Sequence, residues 1–273
     1  MTQTARVSRP PGRTPSTVRR AIALVVVTSM AALVCVFLAL PAAWLDPALA
    51  MLSHGRARLV DTEGTWLRGQ GRIVLLDGTA QAATERGFAV PGTLRWEIHP
   101  ARLLIGEFAG IVQLPAQTRP VAFGAAPGRV WFDAGRLDLP RTDLSALGSP
   151  WNTIRPSAAL SLSWEAVDWR RGETTPQGRV LVELRDVASA MTPVAPLGDY
   201  RIEARTGSGG GGVELVTLAG ALRLAGSGRW DPASGLRLQA QAWGEGPERA
   251  RLQSLLGLIG QRQGEQTLIR IGG

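Results

Sequence analysis

The sequence predicts a mainly β (α+β) protein: a single N-terminal transmembrane helix, then a large twisted, mostly antiparallel β-sheet domain with a C-terminal helix packed on it. Three observations lead to this prediction. One apolar run without charge lies near the N-terminus. Apolar and polar residues then alternate with a period of two through much of residues 57–243, as in strands that bury one face. The 33 glycines and 18 prolines indicate frequent turns between those strands.

The apolar run from Ala21 to Leu40 is long enough to cross a bilayer. At about 1.5 Å per residue its helix would span about 30 Å, the thickness of the hydrocarbon core. Pro41 is expected to end the helix, and Trp44 stands where an interfacial aromatic residue would. The side chains expected to form the membrane anchor include Ala21, Leu24, Val27, Leu33, Phe37 and Leu40.

A cleaved signal peptide is the competing interpretation of this run. Ala48–Ala50 has the small-x-small form of a cleavage site. A cleavable apolar region usually has about 7–15 residues, however, and the tripeptide lies well beyond the end of this longer run, behind Asp46 and Pro47. The sequence therefore favours a retained anchor. Cys35, the only cysteine, lies within the run, so no disulfide can form within the chain.

The arginines before the apolar run set the expected orientation, because cationic flanks stay in the cytoplasm. Residues 1–20 are predicted to be a disordered, basic cytoplasmic tail, residues 21–40 the transmembrane helix and residues 41–273 a periplasmic β-rich domain. The formal net charge is +8, and the tail contributes five of the positive charges; the rest of the chain is nearly balanced, so we expect no nucleic-acid partner. The orienting residues are Arg6, Arg9, Arg13, Arg19 and Arg20.

Four segments show the alternation of strands most clearly: residues 93–99, 157–165, 220–230 and 236–243. In the first of them, leucine, tryptophan and isoleucine would face one side of a sheet, and threonine, arginine, glutamate and histidine the other. Strands of this kind bury one face and leave the other in water, as antiparallel sheets do.

Turn residues separate the predicted strands. Asp231–Gly235 is predicted to join the last two strands as a short hairpin loop, and residues 76–79 contain an Asp-Gly hairpin signal. Residues 207–212 are predicted to be a flexible loop. A proline-containing stretch near residues 140–156 is expected to divide the domain into two halves without creating two independent domains.

Helical spacing appears near the C-terminus, from about Pro247 to Ile259, where leucines recur at three- and four-residue intervals and Gly260 fits a C-cap. A shorter helix is expected at Asp143–Leu147. A final short strand, Gln266–Ile271, is expected to return to the sheet.

The domain shows no arrangement typical of an active site. His54 and His99 share no ligand spacing, no cysteine cluster exists, and a chain without lysine cannot contain a Gly-Lys-Ser/Thr phosphate loop. Gly207–Gly212 matches Gly-x-Gly-x-x-Gly, but Val213–Leu218 is predicted to be a strand, whereas a nucleotide cradle needs a helix there. We therefore expect no enzymatic activity, no catalytic residue, no metal and no cofactor.

The nine tryptophans are unusual. One interpretation is that they fill the core of the sheet, with each indole N–H satisfied at its edge. The other is an aromatic-lined surface that binds a peptide or an acyl chain. The tryptophans expected in strands are Trp66, Trp96, Trp131, Trp164 and Trp230.

Short motifs follow one another along the chain in a definite order. They are Leu40–Leu45, Gly64–Gly71, Leu94–Pro100, Leu103–Gly106, Pro196–Tyr200 and Gly220–Gly226. This order resembles the type II secretion system protein N family, also called general secretion pathway protein N, over nearly the whole chain after the anchor. The residues that carry the resemblance include Gly64, Thr65, Trp66, Gly69, Trp96, Pro100, Leu197, Gly198 and Tyr200.

The resemblance implies a non-enzymatic accessory component of the machine that carries folded periplasmic proteins across the outer membrane of Gram-negative bacteria. It implies a place in the bacterial inner membrane and partners among the other secretion-system subunits, either inner-membrane components or the secretin. It supplies no catalytic residue. An open sheet edge is one way in which the domain could bind such a partner.

A second interpretation starts from the Gly-led amphipathic strands attached to one N-terminal helix, which are similar to AsmA-like proteins. That resemblance implies a β-groove that binds phospholipid or transports it across the periplasm. A curved sheet with a continuous apolar concave face would carry acyl chains, whereas a core filled by side chains would not.

Overall fold

The computed structural model describes residues 15–76, 87–115, 117, 119–145, 151–173, 177–207, 210–231 and 235–271. The chain divides into two compact units, Met1–Leu40 and Pro41–Gly273. The larger unit is built from antiparallel strands with a few short helices, so the predicted mainly β fold is confirmed.

The first unit contains helix α1, Pro15–Leu38. Its segment Arg19–Leu38 has a mean hydropathy of 2.8, so this helix is long and apolar enough to cross a membrane. The helix begins earlier than predicted, so the last residues of the expected disordered tail, among them Arg19 and Arg20, are helical. The other three orienting residues, Arg6, Arg9 and Arg13, lie outside the described residues.

The second unit begins with a short 3-10 turn, Ala42–Trp44, and its described residues include four α-helices. These are α2 (Leu45–Leu52), α3 (Pro100–Leu103), α4 (Trp151–Ile154) and α5 (Gln253–Ile259). The strands of the first half are β1 (Ala57–Gly64), β2 (Arg68–Leu76), β3 (Gly87–Ala89), β4 (Leu94–Ile98), β5 (Phe108–Gln113), β6 (Val121–Ala126), β7 (Arg129–Phe132) and β8 (Gly135–Asp143). The strands of the second half are β9 (Pro156–Trp164), β10 (Val167–Arg170), β11 (Gly178–Ser189), β12 (Gly198–Gly207), β13 (Gly210–Ala219), β14 (Leu222–Asp231), β15 (Gly235–Gly244), β16 (Gln261–Gln263) and β17 (Gln266–Ile271).

The strands form two antiparallel sheets. The N-terminal sheet has the order β1-β2-β4-β5-β6-β7-β10, with β3 also paired to β2, and the C-terminal sheet has the order β16-β17-β15-β14-β13-β12-β11-β9-β8. Among the described strands, neither β1 nor β16 has a second partner, so the arrangement is open and not a closed barrel.

One bent ribbon joins the two sheets. Strands β7 and β8 run against β10 and β9 in a single register, since Phe132 pairs with Val167 before the bend and Gly135 pairs with Trp164 after it. At the bend, the Trp164 indole donates to the backbone oxygen of Asp133 (2.9 Å) and packs against the Phe132 ring. The predicted division near residues 140–156 is therefore wrong: the chain leaves the N-terminal sheet between residues 132 and 135 and returns to it at β10.

The bend brings the apolar faces of the two sheets together. Val90, Ile73 and Leu75 of the N-terminal half pack with side chains of the shared ribbon in one hydrophobic cluster, whose ribbon members are Leu137, Leu139 and Leu160. A larger cluster fills the C-terminal sheet beneath α5, and a third forms where α2 covers the N-terminal sheet. Apolar side chains of the two halves thus meet along the shared ribbon.

The predicted turns and the predicted C-terminal strand are confirmed only in part. β14 and β15 form the predicted hairpin, whose residues 232–234 lie outside the described residues, and Gln266–Ile271 is a strand as predicted. Residues 207 and 210–212, expected in a flexible loop, belong to the paired strands β12 and β13 instead. The Asp-Gly signal at residues 77 and 78 lies outside the described residues.

The C-terminal helix is shorter than predicted. Residues 246–249 form a separate 3-10 turn, and α5 begins only at Gln253, with Leu255 and Leu256 buried. Gly260 caps α5 with an extended backbone (φ −174°), not the left-handed conformation of a usual glycine cap. The short helix expected at Asp143–Leu147 is wrong at its start, because Asp143 ends β8; residues 146 and 147 lie outside the described residues.

Candidate functional site

The first family-like motif forms a tight connection between β1 and β2, which we call the tryptophan turn (residues 64–69). The Thr65 N–H donates to the Arg68 oxygen (2.9 Å), and the Thr65 hydroxyl accepts from the Arg68 N–H (3.2 Å). Leu67 accepts a bond from the Ile98 N–H (2.6 Å), and Pro41 forms an isolated β-bridge with Thr65. Trp66 lies in this turn and not in a strand, which corrects the prediction.

Trp96 of β4 packs against the tryptophan turn and hydrogen-bonds to its backbone. It is 6% exposed, and its indole N–H is directed at the backbone oxygens of Trp66 (3.1 Å) and Thr65 (3.3 Å). Its ring packs in the cluster that contains Ala42 and Leu59. The residue therefore buries a large apolar surface while satisfying its polar group, as expected for a core tryptophan.

Two glycines allow the close contact between the tryptophan turn and Trp96. Gly64 has a left-handed backbone (φ +89°), which other residues rarely adopt. At Gly69 a Cβ atom would lie 2.6 Å from the Glu63 oxygen and 2.6 Å from the Trp96 ring carbon Cζ2. Both contacts are far inside van der Waals distance, so the turn and the tryptophan fit each other only with glycine at this position.

A cleft of about 500 Å³ opens beside the tryptophan turn, over β2, β4 and β5. Arg68 forms an ion pair with Glu97 across the strands. The Gln70 amide donates to Glu63 (2.7 Å) and its oxygen accepts from Arg95 (3.3 Å). Beneath these groups lies Ile111, and Gln113 and Pro120 complete one side. The cleft thus presents paired charges and amides over an apolar floor.

The side chains that line the cleft are suited to hydrogen bonding with a bound molecule. The two carboxylates of the cleft, Glu63 and Glu97, are both already bonded, to Gln70 and to Arg68. Within the described part of the chain, no group of three or more His, Cys, Asp or Glu side chains could hold a metal ion. His54 lies exposed in a left-handed turn after α2, and His99 precedes α3, which begins at Pro100.

The second family-like motif lies in the other sheet and is buried. Tyr200 is 3% exposed, and its hydroxyl donates to the Leu222 oxygen (2.9 Å). Leu197, also 3% exposed, accepts from the Leu222 N–H (2.9 Å), while Gly198 pairs with Val187. Burial raises the pKa of the Tyr200 hydroxyl well above its usual value. These residues hold β12 to β14 in the core, so the predicted motif residues do not form one site.

The outer edge of the N-terminal sheet is closed by α2. The Ser53 hydroxyl accepts from the Ala57 N–H (3.0 Å), and Asp46 accepts from the Leu59 N–H (2.8 Å). The Asp46 carboxylate also binds the Arg58 guanidinium through two nitrogens (2.9 and 2.6 Å), and this hydrogen bonding lowers the pKa of Asp46. An added strand cannot pair with β1 at positions 57 and 59, because their outward N–H groups are already bonded.

Sequence reasoning missed the polar lining of the cleft. The alternation in β4 correctly places Arg95 and Glu97 opposite Trp96, but it does not reveal which residues of β2 and β5 lie beside them. That neighbourhood depends on the register, in which Arg68 pairs with Glu97 and Gln70 with Arg95.

A comparison with protein families gives one finding about this chain. A family model described as "Type II secretion system (T2SS), protein N" matches residues 55–270. Neither the comparison with curated proteins nor that with solved structures gave a match. The matched span begins after α2, ends in β17 and contains the tryptophan turn, the cleft and the Tyr200 motif.

Proposed function

Because the chain belongs to the type II secretion system protein N family, we propose that it is an inner-membrane-anchored periplasmic component of that system. It assists the export of folded proteins across the outer membrane through protein–protein contacts and catalyses no reaction. The observation that carries this proposal is the family match over residues 55–270, which includes both sheets.

Helix α1 supports the anchor. Its apolar segment Arg19–Leu38 is long enough to span a bilayer, and Arg19 and Arg20 lie at its N-terminal end. The positive-inside rule then keeps the N-terminus in the cytoplasm and sends residues 41–273 to the periplasm. Protease added to spheroplasts should digest residues 41–273. Their survival in intact spheroplasts, with digestion after lysis, would refute this orientation.

The polar cleft is the surface that we propose for a secretion-system partner. Its paired charges and amides, above the Ile111 floor, can exchange their present hydrogen bonds for bonds to a peptide segment. The edge of β1 is less suitable, because Asp46 and Ser53 occupy its outward N–H groups.

Site-specific photocrosslinking in the native cell tests this surface. A photoreactive benzoylphenylalanine replaces Gln113 in the cleft, and a matched control replaces Glu214, an exposed residue of β13 in the other sheet. We expect the cleft probe to capture the secretin or an inner-membrane secretion component and the control probe not to. Equal capture at both positions, or capture at the control alone, would contradict the assignment.

Lipid binding is the second candidate function, and one observation favours it. The bent ribbon turns two apolar faces toward each other, and some side chains on them stay partly exposed, among them Val130 (47%), Val180 (39%) and Trp230 (38%). Leu139 and Val90, both buried, pack in one cluster between these faces and occupy part of that space. Mass spectrometry of the purified protein distinguishes the two functions, since bound phospholipid without a captured protein partner would favour lipid transport.

A further inference from the structure

The loop that follows α3 exposes two adjacent large apolar side chains. Leu104 is 88% exposed and Ile105 is 76% exposed. Gly106 closes the loop with a left-handed backbone (φ +75°), and the Arg102 guanidinium is paired with Glu107 (3.0 Å) across it. Exposed apolar pairs of this kind mark an interaction site, since a loop that meets only water gains nothing from them. We call Leu104 and Ile105 the apolar tip.

The apolar tip lies at the same end of the strands of the N-terminal sheet as the start of the domain. It follows β4, whose last residue, Ile98, bonds to Leu67 of the tryptophan turn. Pro41, the first residue of the domain, forms a β-bridge with Thr65 of that turn. Only two residues, Ala39 and Leu40, separate Leu38, the end of the apolar helix, from Pro41, and the three Cα–Cα steps between them reach at most about 11 Å.

Trp44 adds a third exposed apolar residue at this end of the strands. It is 65% exposed and ends the 3-10 turn that begins directly after Pro41. Tryptophan is enriched where proteins meet the headgroup region of a bilayer, and leucine and isoleucine bury readily in the adjacent acyl region. The Arg102–Glu107 pair leaves the base of the tip without a single unpaired charge that insertion would have to bury.

We propose that the apolar tip inserts into the periplasmic leaflet of the bilayer that α1 crosses. This inference rests on the proposed anchor, because the anchor keeps the tip beside a membrane surface at high local concentration. The tip would be a second, reversible membrane contact that limits how the domain turns about its short tether, and so limits which surfaces face the membrane and which face a partner.

The test uses the full chain in vesicles of phosphatidylethanolamine and phosphatidylglycerol. The variant C35A removes the only cysteine, and I105C or, as the matched control, L258C introduces one label site for an environment-sensitive fluorophore. Leu258 is 50% exposed and lies on α5 over the C-terminal sheet. We expect a blue-shifted emission at position 105 that spin-labelled lipid quenches, and a water-like emission without quenching at position 258. Adding L104S to the I105C variant should reduce the quenching.

The outcomes separate the tip from the anchor. Vesicle flotation reports the anchor independently of the fluorophore. If the chain floats but position 105 emits as in water, the tip proposal is overturned and the anchor stands. A blue shift that spin-labelled lipid does not quench would show a protein contact instead and would also overturn it. A chain that fails to float would overturn both proposals.

Discussion

Replacing Gly69 with alanine tests the physical account of the tryptophan turn. The new methyl group would lie 2.6 Å from both the Glu63 oxygen and the Trp96 ring, and 3.0 Å from the Thr65 oxygen. Two of these three neighbours are backbone atoms and the third is a ring whose N–H is bonded to the same turn, so none can move independently. Overpacking of this kind costs about 1–3 kcal/mol.

Gly212 provides a matched control for this substitution. It also lies within a strand, but a Cβ atom there would meet nothing within 4 Å. G212A should therefore show only the reduced backbone entropy of the unfolded chain, which stabilises by about 0.4–1 kcal/mol. The same term acts in G69A and partly offsets the overlap, so the two variants should differ by about 1–3 kcal/mol in the free energy of unfolding.

Thermal unfolding of the purified full chain in detergent, followed by tryptophan fluorescence, measures this difference. For a domain of this size each kcal/mol corresponds to about 2–4 °C in Tm. We expect G69A to melt several degrees below wild type and G212A to melt at or slightly above it. Equal Tm values for G69A and G212A would refute the argument that the turn requires glycine at position 69.

Four further predictions concern two hydrogen-bonded side chains, Tyr200 and Asp46. Y200F removes the hydroxyl that donates to the Leu222 oxygen and should destabilise the protein by about 1–3 kcal/mol in denaturant titrations. Because burial raises the pKa of Tyr200, the unfolded chain loses the Tyr200 proton at a lower pH than the folded chain. The stability that Tyr200 contributes is therefore complete below about pH 10, and the free energy of unfolding should fall by about 1.4 kcal/mol per pH unit above that. Y200F should lack this slope. D46A leaves the N–H of Leu59, a residue 7% exposed, without its acceptor and should lower the free energy of unfolding by about 1–3 kcal/mol. R58A keeps the bond between Asp46 and the Leu59 N–H and should cost less. Equal losses in the two variants would contradict the importance of that bond. Hydrogen bonding from Arg58 lowers the pKa of Asp46, so the stability that the Asp46 carboxylate adds is present above about pH 4 and is lost as the pH falls. D46A should flatten this acid dependence of the free energy of unfolding.

Much of the fold could be predicted because strands that bury one face have a local signature. The alternation around Trp96 and the Gln266–Ile271 strand are visible in the sequence, and the structure confirms both. The bend of the shared ribbon has no such signature. It depends on how Trp164 packs on Phe132, a contact between residues that are distant in the sequence.

The candidate site was only partly predictable for the same reason. Gly64, Gly69 and Trp96 could be singled out from the sequence, and the structure places all three at one turn. Leu197, Gly198 and Tyr200 were singled out with them, yet they stabilise the core of the other sheet. A motif in one chain does not reveal whether its residues meet across space.

What the sequence by itself determined is the set of local properties: an apolar helix long enough for a membrane, strands with one apolar face, and the order of motifs that resembles protein N of the type II secretion system. Local properties follow from residue types at fixed spacing, so one chain suffices to infer them. Only the tertiary structure decided that the domain is two open sheets sharing one bent ribbon, that α2 closes the edge of β1, and that a polar cleft lies beside the tryptophan turn. Each of these depends on strand register and on contacts between residues far apart in the chain, and side-chain periodicity does not specify which strands become neighbours.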